Sequence, residues 1–265
     1  MGLAKPPATV SDQDAAKYAR ISDLIGRYTL GDLGPAWDLW NERHPGHSPG
    51  TARRYRALIP AAVNAYCRSR KAPAPTLPLV EGDEVERVVH LTDQERPALL
   101  RSYNPSAGCP ALVCAYQGSR VRETLILDWR NVIWRQETIR LDWETTKGKK
   151  TRSVPMHRKV ALMLWGVWCS RDKPSRGRVF LSSRGEPYAD TRDVGGNPLS
   201  KAHATACARA EVTDFHFHDW ACQMVLSGTD LISLMKIGGW SSLQMVQRYA
   251  TMRADHHKEA ISRLL

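Results

Sequence analysis

The chain has 265 residues and 42% hydrophobic content, enough to bury a core, which excludes a disordered tail. Its 38 Lys+Arg against 27 Asp+Glu leave a net charge of +11, favouring a polyanionic partner, nucleic acid first and an acidic membrane surface second. No apolar run approaches the roughly 18–20 residues of a membrane span, the N-terminal M-G-L-A-K-P-P-A-T-V lacks the apolar stretch of a signal peptide, and Pro6 spoils a myristoylation pattern.

The six cysteines (67, 109, 114, 169, 207 and 222) form no C-x-x-C pair and no metal-like spacing. Buried free thiols in a reducing cytoplasm are therefore expected, with no metal and no other cofactor. Residues 1–12 read as a flexible arm. Helical patterning over Ala15–Tyr28 is broken by Gly31, Gly34 and Pro35, and Ala36–Arg43 makes a short helix carrying Trp37 and Trp40. Ser48-Pro49 then starts a longer helix reaching Arg70, with proline where a first turn tolerates it. Arg53, Arg54 and Arg56 cluster near its start, Arg68, Arg70 and Lys71 at its end. Two readings stay open for them: a solvated face, or phosphate contacts along DNA, the latter favoured by the overall charge and the interleaved Tyr55.

Residues 72–88 are proline-rich and then acidic, the composition of an extended linker, so the domain boundary belongs there. The division expected is an N-terminal helical DNA-binding domain over 1–75, a linker over 76–90 and a catalytic domain over 91–265. Thr92 and Glu95 have capping-box spacing, with Pro97 awkward for a helix starting at Thr92. An apolar helix follows from Pro110, ending at Q-G-S-R-V-R-E-T-L-I-L-D-W. From Asn131 to Met156 the period shortens: V-I-W, T-I-R-L-D-W and R-S-V-P-M alternate as strands do, with T-T-K-G-K-K turning between the last two. Val160–Cys169 is a helix whose Trp165 and Trp168 belong to core or interface. Arg171–Arg178 is a basic loop, and Asn197–Ala210 a further helix holding His203, read with His216 as structural.

The last stretch, Phe215 to Met252, reads as two helices, a corner and a third helix. Met224, Val225, Leu231, Leu234, Met235 and Ile237 recur at helical spacing with Ser227-Gly228 between them. Gly238-Gly239 ends the second helix, and Ser241 or Ser242 can cap a third carrying Met245, Val246 and Tyr249.

Two segments carry a family resemblance. G-G-W-S-S-L-Q-M-V-Q-R-Y-A, Gly238 to Ala250, resembles the ending of the tyrosine recombinase (phage integrase) family, and G-S-R-V-R-E-T-L-I-L-D-W resembles its first arginine motif. The resemblance covers about Leu91–Leu265 well and residues 1–75 poorly. It implies a mainly α fold with a small three-stranded antiparallel sheet (α+β), the family's catalytic fold preceded by a short helical DNA-binding domain. It also implies site-specific DNA recombination, as in the integrase of a mobile element, through a 3′-phosphotyrosine intermediate. Tyr249 would be the nucleophile, Arg120 would grip the phosphate, His218 and Trp240 would donate hydrogen bonds, and Lys147 would protonate the leaving oxygen. Lys149 and Lys150 compete with Lys147 for that last role or, with Arg152, touch the DNA backbone. The implied partners are double-stranded DNA and a homo-tetramer assembled on it, with no membrane; the implied location is the cytoplasm, on the nucleoid.

One departure matters. The family places arginine three residues after the motif histidine, and here position 221 is Ala. The simplest explanation is a gap of roughly four residues, which in a helix amounts to a net rotation of about 40° and a shortening of about 6 Å. The apolar face therefore keeps its register while the second arginine is lost. The expectation is a fold that survives with slow or absent strand cleavage. The alternative is a catalytically silent, recombinase-derived DNA-binding protein of regulatory or accessory function. An RNA-binding or structural protein and a type IB topoisomerase-like nicking enzyme are weaker readings.

Overall fold

The computed structural model describes residues 17–22, 27–82, 90–142, 151–191, 196–247 and 249. The chain divides into two compact units that change over between Glu86 and Arg87.

In the first unit residues 17–22 are helical, and the chain is already in a turn at residues 27 and 28, short of the helix end expected at Tyr28. Helix α1 spans Leu33–Arg43, starting three residues before the expected Ala36. Pro35 falls in its first turn, where a missing N–H costs no intrahelical bond. Helix α2 spans Pro49–Arg70, with the Ser48 hydroxyl accepting from the Thr51 N–H at 3.3 Å and Lys71 closing the end in the left-handed region. Their facing stripes bury Leu33, Trp37, Trp40, Ala52, Tyr55, Ile59 and Val63 together.

The second unit begins with α3, Glu95–Ser102, where Thr92 and Glu95 make both reciprocal bonds of a capping box (2.8 and 3.1 Å). Helix α4 runs Pro105–Gln117, five residues earlier than its expected start at Pro110, because the Asn104 side chain caps it by accepting from the Ala107 N–H at 2.9 Å. Short helix α5 covers Val121–Leu125. Strands β1 (Val132–Ile133), β2 (Thr138–Leu141) and β3 (Arg152–Pro155) form the expected antiparallel sheet in the order β1-β2-β3, with Ile139 opposite both Val132 and Val154. Residues 143–150, which join β2 to β3 and include Lys147, Lys149 and Lys150, lie outside the described residues.

Helix α6, Arg158–Cys169, buries Val160 and Leu164 against the sheet and α4. Its Trp165 is 49% exposed and meets Trp134 and Trp168 at ring separations of 5.4 and 5.1 Å, a surface cluster and not core. Helix α7 spans Ser200–Arg209, shorter at each end than expected. His203 on α7 bonds the Tyr103 hydroxyl and the Phe215 carbonyl, tying α7 to the chain that enters the last helices. Those are α8 (Trp220–Leu226), α9 (Leu231–Gly238) and α10 (Gln244–Gln247). Asp230 caps α9 by accepting from the N–H groups of Ile232 and Ser233. Trp220, Ala221, Val225, Leu234, Val246 and Tyr249 close into one buried cluster, so the apolar register across α8 to α10 is kept. None of the six cysteines is in a disulfide; Cys67, Cys114 and Cys222 are buried, while Cys169 is exposed, contrary to expectation.

Candidate active site

The site is built on the turn between α4 and α5. Gly118 ends α4 at φ +63, in the left-handed region where glycine is unstrained. Glycine is required for a second reason, since a Cβ there would lie 2.0 Å from the Trp220 ring. Gly118→Ala is therefore expected to lower stability by about 2–5 kcal/mol, summing left-handed strain and overpacking, read as a fall in thermal midpoint.

Two residues on, Arg120 enters α5 with its backbone N–H donating to the Glu123 carboxylate at 3.2 Å and its Nη1 donating to Glu123 Oε1 at 2.8 Å. Glu123 is only 1% exposed in its side chain and serves a second guanidinium. Arg152, on β3, donates from Nη2 to Oε2 at 2.7 Å and from Nη1 to Oε1 at 3.4 Å. Burial pushes the Glu123 carboxyl up, but Arg152 and then Arg120 outweigh it and hold the group below the usual carboxylate range. By contrast Arg122, one turn position away, pairs with Asp190 instead.

The same two arginines hold the Gly238-Gly239 corner. Arg120 Nη2 donates to the Gly239 carbonyl at 3.4 Å, and Arg152 Nε donates to the Ile237 carbonyl at 2.9 Å. Gly239 caps α9 at φ +67, and a Cβ there would lie 2.8 Å from Arg152 Nη1. The guanidinium thus fills the space that glycine leaves open. The next residue, Trp240, stacks on Trp220 (6.0 Å between rings, 20° between planes) and has the Tyr249 ring 6.0 Å away on a tilt of 54°. Tyr249 is 9% exposed.

Arg120, Trp240 and Tyr249 are thus gathered around one corner of the fold. His218 lies in a short 3-10 turn, Phe217–Asp219, and its side chain is outside what the structure describes, as are Lys147, Lys149 and Lys150. Position 221 is a fully buried alanine in the apolar cluster. Arg152, expected to touch the DNA backbone, is 11% exposed, with Glu123 and the Ile237 carbonyl taking three of its five N–H donors. On α2, Arg54, Arg68 and Arg70 are exposed, whereas Arg53 donates to the Gly82 carbonyl and Arg56 to those of Leu77 and Pro78. The bridging of two arginines by Glu123 and the packing of Trp220 onto Gly118 were not anticipated. The acidic residue at the N3 position of a helix led by Arg120 was the only local signal for the first.

Among the described residues no helix is long and apolar enough to cross a membrane, and no group of three or more His, Cys, Asp or Glu side chains could hold a metal. Residues 79–256 match the Phage integrase family. The putative integrase of Pseudomonas phage Pf1 is 23% identical over 235 residues, covering 86% of this chain and 65% of that protein. The integrase of Salmonella phage P22 is 40% identical over 62 residues, 22% of this chain and 16% of that one. The chain thus spans less than two thirds of the length of either relative. Among solved structures, the Tn1549 transposon integrase (residues 82–397) in complex with circular intermediate DNA superposes with a TM-score of 0.72 at 19% identity, covering 98% of this chain and 96% of that one. XerH site-specific recombinase bound to palindromic difH substrate gives 0.69 at 16% identity, over 94% of this chain and 78% of that one.

Proposed function

The chain belongs to the phage integrase family of tyrosine recombinases, and from that premise we propose that it acts on duplex DNA as a site-specific recombinase with impaired strand cleavage. The observation that carries this reading is the gathering of Arg120 with Trp240 and Tyr249 at one corner, although Arg120 lies 119 residues before the Gly239 carbonyl it reaches. The Tyr249 oxygen attacks a backbone phosphate and releases a 5′-hydroxyl. The ester formed keeps the energy of the broken bond, so strands rejoin without ATP or metal. Arg120 grips a non-bridging oxygen, a planar fork matched to phosphate. The Trp240 indole N–H and His218 donate to the developing charge, and Lys147 supplies the leaving oxygen with its proton.

Exposed Arg54, Arg68 and Arg70 on α2, together with Lys149 and Lys150 of the segment between β2 and β3, neutralise backbone phosphates and give binding that weakens steeply with salt. Arg53 and Arg56 join them only by releasing the carbonyls they now hold. A tetramer on two DNA sites would complete the exchange.

A second reading, a DNA-binding protein that no longer cleaves, is favoured by the buried alanine at position 221. The two separate in one assay. The chain is incubated with a library of nicked duplexes randomised around the nick, and covalent protein–DNA adducts are counted. A slow adduct that Tyr249→Phe abolishes supports recombinase chemistry; sequence-selective retention with no adduct supports the silent protein.

A further inference from the structure

We propose that Arg152 supplies the second guanidinium of the phosphate site, so that the pair Arg120–Arg152 bridged by Glu123 binds one phosphodiester. The proposal rests on the phosphate-binding reading of Arg120 and adds a residue, a stoichiometry and a consequence. Two cations share a single carboxylate whose side chain is 1% exposed, which leaves the cluster one positive charge in excess. An excess charge in a partly buried place is costly unless an anion balances it. A phosphodiester carries one negative charge, the amount required.

The geometry agrees with the charge. Arg152 has five N–H donors, and the contacts with Glu123 and the Ile237 carbonyl use three of them, leaving two. Its guanidinium lies against Gly239, where any side chain would collide with it, and Gly239 leads directly into Trp240. The absence of a side chain at Gly239 keeps Arg152 close to the corner where Arg120 also reaches, through the Gly239 carbonyl. Both guanidiniums therefore lie beside Gly239, Arg120 at its carbonyl and Arg152 at its Cα, with side chains 23% and 11% exposed.

The consequence is a division of labour. Arg152 is fixed by three bonds to protein, so it holds a phosphate in the ground state but has little freedom to follow charge as it develops in cleavage. Phosphate affinity is kept while the chemical step stays slow.

The test uses the full chain labelled with nitrogen-15. Inorganic phosphate is titrated against sodium chloride at matched ionic strength, following the Nε–Hε signals of Arg120 and Arg152, assigned through Arg120→Lys and Arg152→Lys. The expected result is that both signals move on one saturation curve with phosphate and not with chloride, and that Arg152→Lys weakens the Arg120 response about tenfold, since lysine cannot reproduce the fork. If Arg120 responds and Arg152 does not, Arg152 is only a strut, and the proposal fails while the Arg120 site stands. If neither responds, or chloride acts as phosphate does, the phosphate site fails with it. The titration of the unaltered chain decides the matter even if a variant does not fold.

Discussion

Glu123→Ala is expected to destabilise the second unit by about 3–5 kcal/mol, the largest effect of any single substitution at the site. The carboxylate is buried between Arg120 and Arg152, and its removal leaves two guanidiniums facing each other with no counter-charge. It also removes the acceptor for the Arg120 backbone N–H, one of the orphan donors at the start of α5. Chemical denaturation followed by tryptophan fluorescence measures the loss, and an unchanged midpoint would mean that the cluster contributes nothing to folding. The pH dependence gives a separate check. The folded-state pKa of Glu123 is depressed, so its contribution is fully present above the ordinary carboxylate value of 4.5 and is lost as pH falls below that value. In Glu123→Gln this part of the acid sensitivity is expected to vanish, leaving a flatter stability profile over that window.

Inserting four residues beginning with arginine between Trp220 and Ala221 is expected to raise the rate of adduct formation by about 10²–10³, the worth of one preorganised donor to a developing oxyanion. Binding to the same duplex should change little, because Arg152 already meets the ground-state charge. Four helical residues add a net rotation of only about 40°, so the apolar stripe that seats Val225 beside Leu234 and Val246 keeps its direction. Helix content by circular dichroism, compared with the unaltered chain, shows whether the inserted turn is accepted. Equal adduct rates in a folded insert would mean that the short α8 costs the site nothing.

The parts of the molecule that could be read from sequence are those fixed by neighbouring residues. Ser48-Pro49 starts α2 because a hydroxyl and a ring with preset φ act within one turn. The period of two over β2 and β3 survives because one face of the sheet is buried, setting Ile139 opposite Val154. The start at Leu33 was less legible because Pro35 inside a first turn looks like a break, and the start at Pro105 because Pro105 reads as a break until the Asn104 cap before it is known.

In the site, Arg120 and Tyr249 were picked out by the family resemblance of the segments that hold them. Arg152 was not, because its orientation depends on Glu123, 29 residues earlier, and on a carbonyl 85 residues later. The constraint on Gly118 likewise comes from a Trp220 ring that is remote in sequence. Local periodicity and caps contain no term for such pairs.

The most direct test asks whether Arg120 grips the phosphate that Tyr249 attacks. The insertion-bearing chain and its Arg120→Ala variant are compared on two nicked duplexes, one ordinary and one with a neutral methylphosphonate at the attacked position. With the ordinary phosphate, loss of Arg120 is expected to slow formation of the Tyr249 adduct by 100-fold or more, about 3 kcal/mol of charge stabilisation. With the neutral linkage there is no charge for Arg120 to hold, and the same substitution should slow the reaction less than about threefold, under 1 kcal/mol. Equal slowing on both duplexes, or an adduct on any residue other than Tyr249, would contradict the shared site.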